Sequence, residues 1–129
     1  MTDTSRLSVS GLVRTTSARW VTTAVFFAFA IGLGLWAGAT PTLMHQAGVD
    51  AAGLGIALTL HSAAYVVAMT GSGWLARFIE PRRLILIALP LHALAFLALF
   101  TAASPRVLTL GLTAVGFTAG TLDLAMNTE

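Results

Sequence analysis

The sequence predicts an all-α membrane protein with four spanning helices, on three observations. Hydrophobic residues make up 57% of the chain and charged residues only 9%, with a mean hydropathy of +0.86, whereas soluble domains carry about 25% charged residues. Four apolar runs, at 20–39, 54–76, 84–103 and 107–128, each reach the roughly 20 residues that cross a hydrocarbon core about 30 Å thick. None of the runs alternates as the strands of an outer-membrane barrel do, and Leu, Ala and Phe dominate all four.

In chain order, residues 1–19 are rich in Ser and Thr with scattered Arg and little apolar periodicity, which predicts a mobile cytoplasmic tail. A cleavable signal peptide competes, with Ala37-Gly38-Ala39 as its cleavage site; a run as long as a full span, followed by three more spans, argues against it. Residues 40–53 hold Pro41, His45 and Asp50 and read as an external loop, with Asp50 placed to cap the next helix through its backbone N–H groups. The connection at 76–83 is short and basic, which predicts a tight turn between antiparallel helices. Pro90 should bend the third helix. Ser104-Pro105 opens the fourth, since proline suits a first helical position.

Orientation follows from the arginines, because cytoplasmic connections are enriched in Lys and Arg. Arg6, Arg14 and Arg19 precede the first span and Arg77, Arg82 and Arg83 lie between the second and third, while the other two connections carry only Arg106. The N-terminus is expected in the cytoplasm and the chain in the plasma or inner membrane, with the lipid bilayer as its first partner. The net charge of +2 then reflects topology. No basic face with interleaved aromatics points to nucleic acid. Cysteine is absent, which excludes disulfides, thiolate metal sites and cysteine catalysis.

The polar residues inside the spans carry the functional expectation. Asp123 is a lone carboxylate in the fourth run, and an acid in lipid is costly and is generally retained to bind a proton, ion or substrate. Asn127 lies four residues on, on the same helical face. A headgroup-level carboxylate is the plainer alternative, since Asp123 is about 25 Å of helix from Arg106. His61 and Tyr65 form a second i, i+4 pair that could line a cavity or simply pack. Gly34/Gly38 and Gly116/Gly120 have the spacing that lets helix backbones approach closely in lipid. His92 reads as a structural hydrogen bonder, Trp20 and Trp74 as interfacial anchors, and Trp36 as anchor or cavity wall. No enzymatic constellation is present: His61 and Ser62 are adjacent and cannot face one another, and the histidine spacing makes no metal motif. No cofactor is expected.

Two motifs carry a family resemblance. The run Gly73-Trp74-Leu75-Ala76-Arg77-Phe78-Ile79-Glu80-Pro81-Arg82-Arg83 is similar to the loop between helices two and three of the major facilitator superfamily, G-x-L-A-D-R-x-G-R-R, in Gly73, Leu75, Ala76, Arg82 and Arg83. Arg77 stands nearest the family's acidic latch, and Glu80 could supply that carboxylate instead. Gly120-Thr121-Leu122-Asp123-Leu124-Ala125-Met126-Asn127 resembles the fourth-helix signature of the fucose permease branch, and Gly34-Leu35-Trp36-Ala37 with Pro41 is also similar to that branch. The resemblance implies the first four helices of a twelve-helix transporter, with helices 5–12 as the remainder, working by alternating access on protons and a small polar solute such as a sugar. Asp123 would carry the proton, Asn127 would contact substrate or acid, and the Arg82/Arg83 turn would close the cytoplasmic side. A fragment of this kind is not expected to transport alone. The readings from other classes are a complete four-helix protein acting as a small oligomeric exporter, or a membrane scaffold.

Overall fold

The structure, a computed structural model, describes the backbone of residues 5–128 and the side chains of Trp20, Thr23, Ala24 and residues 26–128. It consists of four helices: α1 Ser5–Ala47, α2 Ala51–Leu75, α3 Pro81–Phe100 and α4 Pro105–Asn127. Each contains a stretch long and apolar enough to cross a bilayer, Phe26–Ala47, Ala51–Leu75, Pro81–Phe100 and Pro105–Asn127. The chain is therefore an all-helical, multi-pass membrane protein by length and composition. Helices are the natural solution because every backbone N–H and C=O in lipid must be paired within its own segment.

Two compact units divide the chain, Met1–Ala39 and Thr40–Glu129. In the first, α1 begins at Ser5, inside the stretch expected to be a tail. Once a spanning helix exists, each further residue adds a hydrogen bond without a new nucleation step, and Gly11 is the weakest link upstream. Gly34 and Gly38 have no atoms within 4 Å of where a Cβ would stand, so their spacing builds no contact within this unit.

In the second unit, α1 continues through Pro41 to Ala47, and the expected external loop shrinks to three residues, 48–50. The helix stops where Gly48 turns left-handed at φ 65°. There Gly48 N–H donates to the His45 carbonyl (3.3 Å) and Val49 N–H to the Met44 carbonyl (2.9 Å), the paired bonds of a Schellman end. Asp50 then caps α2 as expected, its Oδ1 accepting from Gly53 N at 2.8 Å. The α2–α3 turn is tight: Arg77, Phe78 and Ile79 N–H groups donate back to Trp74 and Leu75 carbonyls, and Pro81 opens α3. Ser104 and Pro105 start α4, with Ser104 Oγ accepting from Val107 N at 3.4 Å. Pro90 lies within a continuous α3.

Helix α4 is the centre of this unit. It packs on α2 along one side and on α3 along another, while α2 and α3 make next to no contact with each other. Leu108, Leu112 and Leu122 of α4 and Leu99 of α3 are fully buried. The α3–α4 pair is antiparallel: a Cβ on Gly111 would stand 3.1 Å from Leu99 Cα, and His92 meets Thr118 further along. The α2–α4 pair is parallel, with Gly116 beside the His61 backbone, Gly120 beside the Tyr65 and Met69 backbones, and Gly73 against Leu124. At Gly116 and Gly120 a Cβ would overlap the carbonyl oxygens of His61 and Tyr65. This is the close backbone approach that small residues permit in lipid, where van der Waals packing replaces the hydrophobic drive between helices.

Candidate functional site

The glycine seam brings together two i, i+4 pairs that the sequence placed on separate helices. His61 and Tyr65 are four residues apart on α2 and both face α4. Asp123 and Asn127 are four apart on α4 and close one end of the seam. The Tyr65 hydroxyl donates to Asp123 Oδ2 at 2.5 Å. Asn127 Nδ2 donates to the Asp123 carbonyl at 2.8 Å and lies 3.3 Å from Asp123 Oδ1. Both carboxylate oxygens thus have a hydrogen-bond donor within reach.

The depth of the cluster follows from the register. Asp123 lies between the level where Gly120 meets Tyr65 and Met69 and the level where Leu124 meets Gly73. Tyr65 itself is separated from Leu75 by about 15 Å of helix, so the phenol enters from well inside the span and reaches the acid along the seam. The carboxylate is partly buried and tied to a neighbouring helix, near the level of Gly73, two residues before the end of α2.

His61 anchors the other end of the seam. Its Nδ1 lies 2.9 Å from the Leu112 carbonyl, and because a carbonyl only accepts, His61 carries its proton on Nδ1. The α3 side has a separate polar contact, which the sequence anticipated only in its histidine. His92 is buried, sits edge-on to Phe96 with ring centroids 4.9 Å apart, and has Nδ1 2.8 Å from Thr118 Oγ1. The Thr118 hydroxyl lies 2.9 Å from the Ala114 carbonyl and 3.1 Å from the Val115 carbonyl; while it donates to either, His92 Nδ1–H is the donor to Thr118. Thr118 was invisible as a partner because a threonine in an apolar helix ordinarily satisfies its own backbone. Replacing Thr118 with Val should destabilise the α3–α4 pair by about 0.6 to 1.7 kcal/mol, the range for hydrogen bonds between spanning helices. Unfolding in detergent would measure this, with Thr118→Ser expected to retain stability.

The remaining expected residues lie elsewhere. Trp36 is on α1 in the first unit, partly exposed. Gly73 is in ordinary contact with Leu124, at 3.8 Å from a notional Cβ. Arg77, Glu80, Arg82 and Arg83 are exposed around the α2–α3 turn, where Glu80 makes no side-chain cap bond to α3 and lies 3.8 Å from Arg83. Among the described residues no group of His, Cys, Asp and Glu could hold a metal ion. Compared with known protein families, with curated proteins and with solved structures, the chain finds no match.

Proposed function

We propose that this chain forms the first four helices of a major facilitator-type secondary transporter, which couples movement of a small polar solute such as a sugar to protons. The observation that supports this reading is the Tyr65–Asp123–Asn127 cluster. A lone acid in a spanning helix, held by donors from two helices, has more hydrogen bonding invested in it than a bundle of Leu, Ala and Gly needs for packing. In this reading Asp123 takes up and releases the proton. When ionised it accepts from Tyr65 and Asn127. When protonated on Oδ2 it becomes a donor, and the Tyr65 hydroxyl must turn from donor to acceptor or let go. The exchange changes the tie between α2 and α4 at the place where their backbones are closest, so proton state and helix packing would be coupled. Solute would bind beside Asn127. The basic α2–α3 turn would lie on the cytoplasmic side and close it, with the N-terminus on the same side.

The test is accumulation of labelled monosaccharides by proteoliposomes carrying the whole transporter under an imposed pH gradient. The native protein should concentrate its solute, and Asp123→Asn should leave at most equilibration. Gradient-driven accumulation that survives in Asp123→Asn would overturn the mechanism.

A further inference from the structure

Helices α2 and α3 both lean on α4 and leave a slot between them, with a volume of about 370 Å³. Ala68, Gly71 and Leu75 line it from α2, Ala88 and Leu91 from α3, and Phe117 from α4. It is apolar, it does not include the Asp123 cluster, and its outer edge is open, with Val67 64% and Ile87 57% exposed. In hydrocarbon such a slot must be filled by something as apolar as itself. An extended hydrocarbon chain fits.

The end of the slot at the α2–α3 turn is basic. Leu75, Ile79 and Leu84 line that end, and Arg77, Arg82 and Arg83 each lie within two residues of one of them. Glu80 neighbours Arg83 at 3.8 Å, while Arg77 and Arg82 have no ion pair among the described residues. Trp74 and Phe78 mark the same end as headgroup level, both largely exposed and in edge contact with centroids 5.0 Å apart. We infer that this is a binding site for an anionic phospholipid, with one acyl chain in the α2–α3 slot and the phosphate on Arg77 and Arg82. Basic clusters between spanning helices on the cytoplasmic side recognise acidic headgroups through the same attraction. Only the choice of leaflet rests on the orientation proposed above; the site itself does not require that the protein transport anything.

A fluorescence experiment reads the site directly. In a variant with Trp20, Trp36 and Trp74 changed to Phe, Phe117→Trp puts the sole tryptophan in the slot. The full chain is reconstituted in phosphatidylcholine containing a small fraction of either brominated phosphatidylglycerol or brominated phosphatidylcholine. Phosphatidylglycerol should quench more strongly, with its relative association falling about fivefold for each of Arg77→Gln and Arg82→Gln, while Arg82→Lys keeps it. Ala88→Phe, which fills the slot, should reduce quenching by phosphatidylglycerol. Equal quenching by the two lipids, a preference indifferent to both Gln substitutions, or no quenching by either lipid with a second copy cross-linking at the slot, would each overturn the assignment. Native mass spectrometry of the unsubstituted protein gives an independent reading, since retained phosphatidylglycerol should be lost in the double Gln variant. Gradient-driven accumulation that survives in Asp123→Asn would overturn the transport mechanism and leave all these outcomes unchanged, so the two proposals fail separately.

Discussion

Gly116→Leu and Gly120→Leu should each destabilise the α2–α4 pair by at least the 1–3 kcal/mol typical of overpacking, and together should separate the two helices. At both positions even a Cβ would overlap a backbone carbonyl oxygen of α2, at His61 and Tyr65. A side chain in the way can rotate aside, but a carbonyl committed to its own helix cannot, so the whole helix must move. That movement would also draw Tyr65 from Asp123 and His61 from the Leu112 carbonyl. Gly55→Ala is the control: nothing lies within 4 Å of its Cβ position, and alanine in a helix is favoured over glycine by about 0.8–1.0 kcal/mol. Denaturant unfolding in detergent micelles should rank Gly55→Ala at or above the native protein and the seam variants well below it. Equal midpoints for Gly55→Ala and Gly120→Leu would mean that the seam is not closed in the membrane.

The glycines also illustrate what the sequence could reveal. Spacing alone marked Gly34/Gly38 and Gly116/Gly120 alike, yet the second pair meets the α2 backbone while the first builds no contact within its own unit, because an i, i+4 pattern describes one helix and says nothing of the register of its neighbour. For the same reason both polar pairs were legible, each on its own helix, while the bond from Tyr65 to Asp123 was not. Features settled within a few residues were read correctly: Asp50 caps α2 through a bond only three residues away, and Pro105 stands at the first position of α4. Pro41 misled in the opposite direction. An interior proline usually breaks a helix, but spanning helices tolerate it, and α1 ends only where Gly48 supplies a left-handed turn.

The tie between Tyr65 and Asp123 should appear as a coupling energy of about 1 kcal/mol in a double-mutant cycle of Tyr65→Phe and Asp123→Leu. A hydrogen bond to an ionised group is worth about 1.5–3 kcal/mol in soluble proteins. In lipid the separated helices keep their own partners, which brings measured values down to about 0.6 on average and about 1.7 at most. The bond here is short, at 2.5 Å, and joins neighbouring helices, so a value above that average is expected. Tyr65→Phe alone should destabilise, because it leaves one carboxylate oxygen without its donor. Asp123→Leu alone should be neutral or stabilising, since an apolar residue replaces a partly buried carboxylate. In the Asp123→Leu background, Tyr65→Phe should then have almost no effect. If Tyr65→Phe is equally destabilising in both backgrounds, the phenol acts by packing and Asp123 is not held as described. A gain in stability when the acid is lost would mean that desolvating the carboxylate costs more than its tie to Tyr65 returns, so helix packing alone does not account for an acid on the seam.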